Sequence, residues 1–221
     1  MSKYKLIINL KTYKESTGKK AIKIAKICKE LEKEAKKRSV EIILCPQATD
    51  IKDIKQLKVN SYAQHIDNIE YGANTGYILP EAIKDAGAIG TLISHSEHQL
   101  PLKEIEARIK KAKSIGLKTC VCARDDKRAK EVSKFKPDFI AVEPKEFIGT
   151  DISISTAKPQ LIEKSVKAVG KITLLVGAGV KTTQDVKKAV ELGSYGILVA
   201  SGVVKVKNIR KAILELIQGF D

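Results

Sequence analysis

Ile172-Thr173-Leu174-Leu175-Val176, then a Gly177-Ala178-Gly179 loop, a helical pattern over 182–192 and a second apolar run at 195–199 form the stretch that decides the fold. Consecutive apolar residues mark strands buried on both faces, and two such strands joined through a helix lie parallel. Working outward, the same alternation fills the chain. Strand-like runs fall at 5–9, 40–45, 60–63, 90–93, 117–122, 138–142, 172–176 and 195–199. Helical periodicity is clearest over 18–38, 101–114, 126–135, 156–169, 182–192 and 207–217, with room for only short helices at 50–57 and 79–86. Eight such repeats favour a closed parallel sheet, an α/β (β/α)₈ barrel, over an open doubly wound sheet. No Pro/Gly/Ser-rich linker divides the chain, so residues 1–221 are expected to form a single barrel domain. That length is below the ~250 residues typical of the fold, so some outer helices should be short or missing. Thin cover would leave apolar surface, a reason to expect an oligomer.

The composition narrows the function classes. A hydrophobic content of 43% supports a substantial core. The first residues are too short in apolar character for a secretory signal, and no run approaches the ~20 apolar residues of a membrane span. A cytoplasmic protein with no membrane partner is expected. Cys28, Cys45, Cys120 and Cys122 lack C-x-x-C spacing and read as buried small hydrophobes in a reducing compartment rather than as metal or disulfide residues. The net charge of +15 raises the possibility of a nucleic-acid partner. Against it, the charge is mostly lysine, there is no Trp, and between positions 19 and 37 the charges fall around an apolar stripe of Ala21, Ile24, Cys28, Leu31 and Ala35. They read as a solvated helix face, and no nucleic-acid partner is expected.

In a (β/α)₈ barrel the chemistry gathers at the C-terminal ends of the strands. The first run ends in Asn9 and Lys11, the fourth in Ser94-His95-Ser96-Glu97, and the sixth in Ala141-Val142-Glu143-Pro144. Pro144 cannot donate to a ladder, which makes Glu143 a carboxylate at a strand edge. Taken singly, these residues read as a solvated lysine, a strand cap, a satisfied histidine and a polar strand end. Together they place a base, an imidazole, an ammonium and an amide at one mouth, which reads as a catalytic site. Gly177-Ala178-Gly179 and Ala200-Ser201-Gly202 follow the last two strands, where backbone N–H groups commonly hold an anion; tight turns are the plainer reading.

These segments resemble the triosephosphate isomerase family. Asn9-x-Lys11, Ser94-His95-Ser96-Glu97, and Ala141 to Pro144 with Ile148-Gly149-Thr150 are similar, in order, to its three catalytic segments. Ala63-Gln64 and Gly72-Ala73-x-Thr75-Gly76 are similar to its third-strand loop, and Leu198 to Gly202 to its final phosphate loop. The compact length resembles the archaeal-type branch. The resemblance implies a TIM barrel that interconverts dihydroxyacetone phosphate and D-glyceraldehyde 3-phosphate through an enediolate, in glycolysis and gluconeogenesis, without cofactor or metal. It implies Glu143 as base, His95 as electrophile, and Lys11 and Asn9 as stabilising and orienting groups. It further implies a hinged lid over 144–150, with Lys145-Glu146 on its surface and Ile148 and Gly149 near the ligand. Gly179, Ala200 and Ser201 would bind substrate, Glu97 would give support, and Thr75 would reach a neighbouring subunit of a homo-oligomer, a tetramer by resemblance or a dimer. That family is the standard case of a carboxylate base paired with a neutral histidine under a closing loop. One departure stands out. A basic residue usually follows the glutamate of the His-Ser-Glu segment, and here His98-Gln99 do, leaving the second-layer support altered. The rival readings are another phosphate-binding barrel isomerase or synthase, and a basic binding protein.

Overall fold

The structure is a computed structural model describing residues 3–150 and 152–220, so the expected domain limits 1 and 221 lie outside the described residues. Eight parallel strands follow one another around a closed barrel: β1 Tyr4–Asn9, β2 Val40–Cys45, β3 Asn60–Ala63, β4 Gly90–Ile93, β5 Lys118–Ala123, β6 Phe139–Val142, β7 Thr173–Gly177 and β8 Gly196–Val199. The last strand pairs back onto the first, Ile7 opposite Leu198. Successive side chains on a strand point to opposite faces, which separates two cores. Ile7, Ile43, Tyr62, Leu92, Cys120, Ala141, Leu175 and Leu198 fill the barrel interior. Leu6, Ile8, Leu44, Val121, Ile140, Leu174 and Ile197 face outward onto the helices. Both sides are apolar because both are covered, which accounts for the unbroken hydrophobic runs.

Every strand is followed by helix. The layer comprises α1 Lys19–Lys37, α2 Ile51–Gln56, α3 Pro80–Asp85, α4 Leu102–Ser114, α5 Asp126–Ser133, α6 Ile154–Ala157, α7 Pro159–Val169, α8 Thr183–Glu191, α9 Ser201–Val204 and α10 Ile209–Gln218. The expected short helices are α2 and α3, six residues each. Among the described residues every repeat has a helical segment, so the expectation of short or missing outer helices is met by short ones. The stripe read on α1 is buried as Ala21, Ile24, Cys28, Leu31 and Ala35, together with Ala25. Two differences have physical causes. The helical pattern over 156–169 is interrupted: Lys158 sits at φ −138°, ψ 57°, because a residue before proline is pushed out of the helical region, and α7 starts afresh at Pro159. The stretch after β8, read from sequence as a loop, forms the short α9. All four cysteines are free and buried, and burial pushes the Cys28 thiol up to about 12.

Candidate active site

Three strand ends converge on one mouth. At the end of β1, Asn9 is buried and its Oδ1 accepts the Lys11 N–H at 3.0 Å, which fixes the orientation of the amide and leaves its NH₂ as a donor. Lys11 is held in the left-handed region, φ 48°, an unfavourable conformation for a residue with a Cβ. It is fixed from outside by Gln64, whose Nε2 donates to the carbonyls of both Lys11 and Cys45 at 3.0 Å. That role for Gln64 was not read from the sequence, since it depends on neighbouring strands rather than on spacing. The Lys11 ammonium lies 2.7 Å from Glu97 Oε1.

At the end of β4, Ser94 is also left-handed, φ 59°, and its Oγ accepts the Leu100 N–H at 3.1 Å, closing the loop. His95 follows, 7% exposed. The Glu97 N–H donates to its Nδ1 at 3.2 Å, which requires a lone pair on that nitrogen. Nδ1 is thus the accepting nitrogen, and Nε2 carries the N–H. Nε2 faces Glu143 Oε2 at 3.7 Å.

Glu143 extends the β6 ladder by one bond, its N–H donating to Ala123 O at 2.9 Å, before Pro144 ends it. Its side chain points into the barrel mouth and is buried, and Oε2 has no hydrogen-bond partner. Burial raises its proton affinity above the ordinary carboxylate range, while His95, the Cys122 thiol and Lys11 pull it back. A buried oxygen without a partner, set beyond bonding distance from an imidazole N–H, leaves a gap for a reacting atom. The carboxylate fits because position 177 is glycine: a Cβ there would overlap Glu143 Cγ.

A narrow cleft joins these groups to the loops after β6, β7 and β8. Asn9, Lys11, His95, Glu143, Ile148, Gly149, Gly179, Ala200 and Ser201, all singled out in the sequence, line it, and Thr150, Lys181 and Gly202 join them. Gly179, at φ 72°, passes so close to Ile152 that a Cβ would overlap its carbonyl. Residues Lys145–Phe147 form a single 3₁₀ turn between Glu143 and the cavity-lining Ile148. Two expected residues lie outside the cavity lining. Glu97 is 58% exposed at the rim, bonded to Lys11, and Thr75 is exposed on the loop after β3, away from the cavity. Among the described residues no group of three or more His, Cys, Asp or Glu side chains is arranged to hold a metal ion.

The triosephosphate isomerase family model matches residues 5–218. The chain belongs to the triosephosphate isomerase family. It is 47% identical over 218 residues to the triosephosphate isomerase of Methanocaldococcus jannaschii, covering 96% of this chain and 98% of that protein. Identity is 44% with the enzyme of Methanobacterium bryantii, covering 96% and 95%, and 41% with that of Methanothermus fervidus, covering 96% of each. Membership in the triosephosphate isomerase family makes the chain an isomerase on a TIM barrel, in keeping with its closed eight-stranded sheet. No helix among the described residues is long and apolar enough to cross a membrane.

Proposed function

We propose that the chain interconverts dihydroxyacetone phosphate and D-glyceraldehyde 3-phosphate, with Glu143 as the base. The observation that carries this assignment is the unpartnered Glu143 Oε2 facing His95 Nε2–H across the head of the cavity. Glu143 removes the proton from the carbon beside the carbonyl; the released pair forms the carbon–carbon double bond, and charge moves onto the carbonyl oxygen. His95 gives its Nε2 proton to that oxygen and takes one back from the neighbouring hydroxyl oxygen, which becomes the new carbonyl. Lys11 stabilises the developing negative charge, and the Asn9 amide orients the oxygen. Glu143 then returns its proton to the neighbouring carbon, so no atom is gained or lost. The phosphate is held by backbone amides at Gly149, Gly179, Ala200 and Ser201, where the first turn of α9 leaves N–H groups without partners inside the helix. Residues 144–150 act as a lid whose closure excludes water and protects the enediolate.

The finer setting belongs to the same reading. The protein works in the cytoplasm as a homo-oligomer, a tetramer or else a dimer, in glycolysis and gluconeogenesis. An exposed loop supports assembly: Tyr71 and Tyr77, 71% and 60% exposed, flank Thr75. An open hollow at the rim beside Lys11, Glu97 and Gln64 supports entry of a neighbour's Thr75. The test is a coupled assay with glyceraldehyde 3-phosphate on the wild type and Glu143→Asp. Turnover by the wild type with a loss of about 100-fold or more in kcat for the variant is expected, since a shorter carboxylate misplaces the base. No wild-type turnover would refute the reaction, and equal turnover would refute Glu143 as base.

A further inference from the structure

The turn that carries His95 is anchored from outside the site. The His98 N–H donates to the His95 carbonyl at 2.8 Å, and within the same turn the Glu97 N–H holds His95 Nδ1. The His98 ring lies flat against His65, with centroids 4.3 Å apart and planes at 21°. His65 belongs to the loop after β3 and is itself fixed, its Nε2 lying 3.1 Å from Asp67 Oδ1. Asp67 in turn accepts the Ile78 N–H at 2.7 Å and the Arg108 guanidinium at 3.3 Å. Arg108, buried on α4, also donates Nε–H to the Ile66 carbonyl at 2.8 Å. The stack thus ties the turn of His95 to a braced platform made by a different loop. The imidazole pair supplies the tie.

We propose that His98, through its stack on His65, is a positioning residue that holds the turn of residues 95–98 so that His95 keeps Nδ1 as acceptor and aims Nε2–H at the reacting oxygen. Its catalytic consequence rests on the role given to His95 above. A flat ring at position 98 is the property required, because the contact is face to face rather than a hydrogen bond.

The chain contains only three histidines, so ¹⁵N-imidazole NMR of the intact protein resolves each one once His65 and His98 are substituted in turn. The wild type and His98→Phe should both show His95 as the single Nε2-protonated tautomer. His98→Ala should show a mixture of tautomers and lose about tenfold in kcat with little change in KM, because the phosphate loops are untouched. His98→Phe should recover most of that loss. His65→Ala should reproduce the defect, and the double variant should be no worse than either single one. A folded His98→Ala protein with the wild-type His95 tautomer and kcat would overturn the inference, as would a His98→Phe variant as impaired as His98→Ala. If the wild type turned over no glyceraldehyde 3-phosphate, the reaction reading would fall, while the tautomer comparison would still decide what His98 does.

Discussion

Glu143 carries a carboxyl group into a place that disfavours its charge, and this has a consequence for stability as well as for chemistry. Unfolded, the residue ionises at its ordinary value of 4.5; folded, burial keeps the proton on to higher pH. Between those two points the folded state binds more protons, so its stability falls as pH rises. Glu143→Gln removes that fall. Thermal melts should show the variant more stable than the wild type at pH 8, with the gain disappearing below pH 4.5, where both states of the wild type are protonated. Gly177→Ala addresses the same carboxylate from the other side. The added methyl displaces Glu143 and should cost about 100-fold in kcat while the protein remains folded, as read by paired kinetics and circular dichroism. Glu143 could be read in the sequence because Pro144 marks the strand edge beside it. The partnership with Gly177 could not, since it arises only when Val142 and Val176 come into register across neighbouring strands. Gln64 escaped for the same reason.

At the scale of elements, α8 begins with a reciprocal cap: the Thr182 side chain accepts the Asp185 N–H, and the Asp185 carboxylate accepts the Thr182 N–H at 2.9 Å. Thr182→Ala should cost about 1 kcal/mol, seen as a drop of about 2–4 °C in Tm by calorimetry. The lid turn is held more loosely. The Glu146–Lys158 ion pair, 2.8 Å long, is half exposed at both ends, and such pairs contribute about 0–1 kcal/mol. Lys158→Ala should therefore leave the melting temperature nearly unchanged. The strands were legible to within a residue or so because a parallel barrel buries both faces and writes continuous apolar runs. The break between α6 and α7 was legible in principle, since Pro159 is its cause; the apolar periodicity continues across it and masks the interruption. The helix after Ala200 was not, because four residues complete barely one turn and leave no period to detect.

For the molecule as a whole, the +15 charge sets the long-range field met by an anionic substrate. Raising ionic strength from about 10 to about 200 mM should lower kcat/KM by about threefold or more, with kcat little changed, as screening shortens the reach of that field. If the proposed homo-oligomer forms through this loop, removing its exposed tip, residues 72–76, should lower the mass read by light scattering while leaving the barrel's circular dichroism intact. The seam between β1 and β8 imposes an order of events on the making of the protein. The two strands lie about 190 residues apart in the chain, yet Lys5 to Ile8 pair with Gly196 to Val199, and Tyr4 packs against both Tyr195 and Phe220. A ribosome adding about 5–20 residues per second releases the first strand about 10–40 s before its final neighbour. Throughout that interval the nascent sheet has a free edge able to recruit another chain, so this enzyme's exposure to aggregation is concentrated in its birth rather than in its working life.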